Sequence, residues 1–265
     1  MKKFVSVLLV VIMAAMMLTG CSKKELSDWE YIKDKGEMVV GITYFEPMNY
    51  FDENGELTGF ETEFAQAVAE ITGVPVKFQE IEWDQKEIEL KSKNIDCIWN
   101  GLTVTEERKN DMAFSTSYVE NKQVIVIKKS NADKYTDVNA LAGATVCAEN
   151  GSAGQGAIEA DEVLSQNEFI PVSAQKDALL EVKAETVQAA VIDSVYASSV
   201  INENTDYSDL MIIEGVELAK EEYAIGLRLE DTETLEIINA AIATLMQDGT
   251  LEALGKKYGV NVIVQ

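Results

Sequence analysis

The chain has 265 residues, with 22 Lys+Arg against 46 Asp+Glu, a net charge of −24, and 47% hydrophobic residues. That charge argues against a nucleic-acid binder, which needs a basic surface to displace counterions, and against electrostatic docking on anionic lipid. Histidine is absent, which removes Ser-His-Asp and Cys-His catalysis and every metal site that depends on imidazole.

Lys2 and Lys3 form a basic start, and Phe4 through Leu18 is an uncharged, nearly all-apolar run. It is short for a bilayer-spanning helix, which needs about 20 residues, and suits a signal-peptide core. The run ends in Leu18-Thr19-Gly20-Cys21, which resembles the lipobox of bacterial lipoproteins. The resemblance implies cleavage after residue 20, with a diacylglyceryl group on the Cys21 thiol; the alternative is a transmembrane helix with an incidental cysteine. Residues 21–36, polar and highly charged, read as a lipidated tether.

From Met38 the pattern alternates short β-branched runs with helical stretches. Met38–Ile42 reads as a buried strand, and Asp52-Glu53-Asn54-Gly55 carries an Asn-Gly hairpin signal without calcium-loop spacing. Phe60, Phe64, Val68 and Ile71 recur at helical spacing, stopped by Gly73 and Pro75. Strand, helix and strand follow at Val74–Ile81, Asp84–Ser92 and Ile95–Trp99. Further strands are expected near Val124–Lys128, Ala144–Ala148, Gln188–Ile192, Leu210–Ile213 and Tyr223–Leu227, then two helices, one carrying Leu235, Ile238, Ile242 and Leu245 and one carrying Leu251, Leu254 and Tyr258. This is the rhythm of an α/β layer protein. Cys97 and Cys147 sit in apolar strand-like runs and read as buried thiols, although a disulfide is chemically permitted outside the cytoplasm. Trp29 and Trp83 carry no readable functional signal.

Several residues have the chemistry to hold a free amino acid. Arg108 offers a planar fork for a carboxylate. The backbone amides of Gly101 and Thr103 suit one carboxylate oxygen, glycine allowing close approach. Gly151-Ser152-Ala153-Gly154 lies between a strand and a helix, where free amide donors favour an anion. Asp193, ending an apolar strand, is a partner for an ammonium, and Phe45 offers a face for a side chain to stack on. Trp99 and Asn100 are candidates to line the pocket. Each also has a plainer reading: Arg108 as a surface charge, Asp193 as a helix N-cap, Phe45 as core.

Four stretches in order resemble the extracellular solute-binding proteins of polar amino-acid ABC transporters, family 3 type. They are Gly41–Met48 with Gly55–Phe60, Asn94–Arg108 with its Gly-Leu-Thr-x-Thr-x-x-Arg core, Gly143–Val146 with Glu149–Gly154, and Ala189–Asp193. The resemblance implies a two-lobed α/β periplasmic-binding-protein-like fold with a ligand cleft between lobes joined by two hinge strands. Lobe one is expected over 37–119 and 223–265, and lobe two over 120–222. It also implies a monomeric lipid-anchored receptor outside the cytoplasm, which binds a polar amino acid and delivers it to ABC permease subunits, with no cofactor, metal or catalysis. Family members that bind cationic amino acids carry an aspartate early in the first loop. Here Ile42-Thr43-Tyr44 stands there, with Glu46 the only nearby acid, which weighs against a lysine- or arginine-type ligand unless the acid has shifted. The competing reading is an enzyme on the same fold, dehydratase- or lyase-like. It needs an acid–base pair in the cleft, and the spare carboxylates, Glu46 and Glu149, both suit solvated loops. A sensor input domain ranks third, since no signalling module follows Gln265.

Overall fold

The computed structural model describes residues 26–263; the apolar run and Cys21 lie outside them. In chain order the first part holds α1 (Asp28–Lys35), β1 (Met38–Ile42), the hairpin β2 (Tyr50–Phe51) and β3 (Leu57–Thr58), α2 (Phe60–Thr72), β4 (Val76–Glu80), α3 (Lys86–Lys91), β5 (Cys97–Ile98) and β6 (Ala113–Phe114). The second holds β7 (Val119–Lys128), β8 (Thr145–Glu149), α4 (Ala153–Ala160), β9 (Glu168–Val172), α5 (Gln175–Lys183), β10 (Ala189–Asp193), α6 (Ser194–Val200), β11 (Leu210–Ile212) and β12 (Ala219–Tyr223). The chain then returns through β13 (Gly226–Leu227), α7 (Thr232–Gln247) and α8 (Thr250–Tyr258). Among the described residues no helix is long and apolar enough to cross a membrane.

Beside the two-stranded β2-β3 hairpin, two large sheets result, one in each lobe of a two-lobed α/β fold. The first has the order β4-β1-β5-β13-β6, with β1 parallel to β4 and β5, and β13 antiparallel to its neighbours. The second has the order β11-β7-β10-β8-β9, with β8 parallel to β9 and β10, and β12 also paired to β7. Alternate residues of β7 serve opposite faces, as the two-residue period of a strand requires. Val124 and Val126 meet Ala178, Leu179 and Val182, while Ile125 and Ile127 meet Ile158 and Leu164. In the first lobe Phe60, Phe64 and Val68 of α2 pack with Val40 and Ile42 of β1 and with Ile238 and Ile242 of α7.

Two expectations change here. Residues 28–35 are folded rather than a tether. The Ser27 hydroxyl caps the Glu30 amide at 3.1 Å, the Glu30 carboxylate returns to the Ser27 amide, and Trp29 and Ile32 are buried. Asp28 accepts the Thr234 amide at 2.7 Å, and Lys35 pairs with buried Asp96. The apolar pair on a polar helix is too sparse to register as periodicity. The strand expected at Tyr223–Leu227 is divided: Tyr223 ends β12 against Val119, while Gly226 and Leu227 join the first sheet. Cys97 and Cys147 are buried and unpaired, in different sheets.

Candidate ligand-binding site

The parallel strands of both sheets end at one cleft, the place where open α/β sheets hold ligands. β1 leads to Thr43, Tyr44 and Phe45, β5 to Asn100 and Gly101, β8 to Glu149 and Ser152, and β10 ends in Asp193; all line one narrow cavity. Thr103 and Arg108 complete its first-lobe wall, and Ala153, Gln175 and Tyr196 its second-lobe wall. The walls touch. The Phe45 and Tyr196 rings lie 5.4 Å apart, and Asn150 donates to Asp84 at 3.2 Å.

Arg108 is 8% exposed and forms no ion pair among the described residues. Its guanidinium donates to the Thr103 carbonyl at 2.8 Å and to the Gly151 carbonyl at 3.1 Å, which fixes the fork and leaves its charge uncompensated. The Thr103 amide meets no acceptor among the described residues, since the bridge to Tyr223 runs through Val104 and Ala224. The Ala153 amide at the start of α4 is also without an acceptor among them. A buried cation with two free amides facing the same cavity is a site for a carboxylate. Opposite, Asp193 accepts from Gln123 at 2.8 Å and from Asn121 and Gln175. Burial holds its carboxyl above the usual range, so a cation nearby would be strongly favoured.

The remaining expected residues divide. Phe45 and Asn100 line the cavity, with Asn100 donating to the Thr43 carbonyl at 2.9 Å and so tying the β1 loop to the β5 loop. Ser152 lines it too; its amide is spent on the Glu149 carbonyl and its hydroxyl oxygen accepts from the Gln155 amide, which leaves its O–H proton and the Ala153 amide as donors of that turn. Trp99 is excluded: it is 0% exposed and packs edge-on to Phe64 at 4.9 Å. Both faces of β5 are buried, so strand alternation gave no means of separating core from pocket. The Gly101 amide is also excluded, because it donates to Glu61 at 2.9 and 3.0 Å. Glycine is required there for another reason, since a Cβ would stand 2.6 Å from the Phe45 ring. Glu149 does not sit in a solvated loop; it is 6% exposed and lines the cavity.

Sequence reasoning missed several supporting groups. Asn121 and Gln123 both face Asp193, and their alternation in an otherwise apolar strand was a readable signal. Lys86 is buried, donating to the Trp83 and Gly151 carbonyls at 3.1 Å, and burial with the Arg108 charge pulls its pKa down to about 8. Glu61 accepts from Gly101, Asn49 and Tyr118 and so pins the loop that carries Thr103. Burial outweighs those donors and pushes its carboxyl up to about 7. A carboxyl that binds its proton more tightly folded than unfolded stabilises the fold at low pH. That contribution is lost as pH climbs through about 7, on the order of 3 kcal/mol by linkage. The melting temperature of wild type should therefore fall between pH 5 and pH 8, and that of Glu61→Gln should fall less. Parallel curves in scanning calorimetry would show that Glu61 is not the titrating group.

Known proteins are similar over nearly this whole span. The L-cystine-binding protein TcyJ of Escherichia coli K12 is 29% identical over 255 residues, covering 93% of this chain and 92% of that protein. The arginine-binding extracellular protein ArtP of Bacillus subtilis is 28% identical, covering 97% and 98%. The crystal structure of an ABC uptake transporter substrate-binding protein from Streptococcus pneumoniae with bound histidine matches with a TM-score of 0.82 at 32% identity. That match covers 90% of this chain and 99% of that one. Residues 38–261, which carry both sheets and every wall of the cavity, match a single family model. The chain belongs to the bacterial extracellular solute-binding proteins, family 3.

Proposed function

We propose that the protein is a lipid-anchored extracytoplasmic receptor that holds a free polar amino acid in this cavity and delivers it to an ABC permease, without catalysis. The observation that carries the reading is one buried cation and one buried anion on opposing walls, Arg108 from the first lobe and Asp193 from the second. An amino acid's carboxylate and ammonium complement that pair, and only a ligand that touches both walls stabilises the closed form. Relatives named for cystine, arginine and histidine support the class of ligand.

Isothermal titration against the twenty amino acids and cystine tests the reading. At least one should bind and raise the melting temperature, by about 2.7 kcal/mol of stabilisation at 100 Kd. Consumption of that ligand would instead favour the enzyme, for which buried Glu149 supplies one acidic group. The anchor is tested separately: Cys21→Ser should move the protein from the membrane to the soluble fraction, because only the thiol forms the thioether. Full membrane retention would overturn the lipoprotein assignment.

A further inference from the structure

Three carboxylates are buried and a fourth half-buried in or beside the cavity, and three of the four are fully engaged. Glu61 has its loop amide, Asn49 and Tyr118; Asp193 has Asn121, Gln123 and Gln175; Glu221 has Thr103 at 3.1 Å with Asn121 and Gln123. Glu149 has none. It stands at the C-terminal end of β8, 6% exposed, on the cavity wall, and accepts no hydrogen bond and forms no ion pair among the described residues. The two buried cations of the cleft steady it only through space and give it no hydrogen bond, since Lys86 and Arg108 donate to backbone carbonyls. A largely buried carboxylate without protein donors, lining a binding cavity, marks what it is meant to meet.

We infer that Glu149 is a specificity-determining residue that receives a second, cationic nitrogen on the ligand's side chain: an amino, guanidinium or imidazolium group, or the second ammonium of a two-headed amino acid. The inference rests on the receptor reading above. With the ligand's carboxylate at Arg108 and its ammonium at Asp193, Glu149 is the remaining buried ionisable group of the cavity lining, and Lys176 is exposed to water. An apolar side chain would leave Glu149 buried and unpaired, and an acidic one would set like charges together. A cation supplies a charge-assisted bond, and the paired rings of Phe45 and Tyr196 line the same cavity. The acid that the first loop lacks is thus supplied from the opposite lobe. Burial and the Asp193 charge raise the Glu149 carboxyl to about 8, so it holds its proton until a ligand cation favours the carboxylate.

The test is calorimetric titration of the full-length chain in detergent, wild type, Glu149→Gln and Glu149→Leu. The probes are arginine, lysine, histidine and cystine, with glutamine, leucine and glutamate as controls. Wild type should bind at least one nitrogen-bearing probe tenfold or more tighter than every control. Cystine against arginine separates the two-headed source from the single side-chain cation. Glu149→Gln should lose tenfold or more for that probe and narrow its margin over glutamine, and Glu149→Leu should shift preference toward leucine. Wild type favouring leucine or glutamate, or Glu149→Gln holding the preferred probe unchanged, overturns the inference and leaves the receptor reading standing. Binding of no amino acid overturns both.

Discussion

Arg108→Ala is expected to weaken ligand binding by roughly 30- to 5,000-fold. Truncating one partner of a desolvated charge pair costs about 2–5 kcal/mol, at about 1.4 kcal/mol per decade. The arginine does more than present charge. Its bonds to the Thr103 and Gly151 carbonyls hold the fork at a fixed angle, so a ligand carboxylate pays no entropy to find it. Arg108→Lys should therefore recover only part of the loss, since an ammonium cannot make two parallel bonds or hold both carbonyls. Affinity by titration calorimetry and folding by melting temperature are the two readouts. Alanine within threefold of wild type would reduce Arg108 to a structural tie.

Asp193→Asn should have the next largest effect, because it strikes the opposing wall. Three side-chain amides converge on the carboxylate, and an asparagine there would turn its own NH₂ toward at least one of these donors while losing the charge for an ammonium. Loss of affinity by tenfold or more is expected, chiefly through faster dissociation. The ligand would then remain tied to the first lobe alone, so small-angle scattering should show less compaction than wild type at equal occupancy. Equal compaction would remove Asp193 from the mechanism and leave Glu149 and Ser152 as the second-lobe contacts to examine.

What the sequence disclosed follows from locality. The apolar period of α2, the Asn-Gly hairpin and the strand–turn around Gly101-Leu102-Thr103 are decided by neighbours within a few residues, and they stand where expected. Arg108 and Asp193 were legible because each closes a distinctive local pattern. Trp99 was not separable, since an apolar strand buried on both faces looks the same whether its end meets core or cavity. Glu149 and Lys86 were misread or missed because charged residues near a loop or on a short polar helix read as solvated. Their burial is created by the other lobe: Lys86 meets Gly151 across 65 residues of sequence.

Lys86 and Arg108 share the Gly151 carbonyl, and both come from the first lobe. Bringing the lobes together thus gives two first-lobe cations one second-lobe oxygen to hold. Their mutual repulsion lies within the first lobe whether the cleft is open or closed, and a ligand carboxylate relieves it in either state. Because the shared atom is a main-chain oxygen, this latch between the lobes outlasts any change of side chain at position 151 that the turn itself can accept.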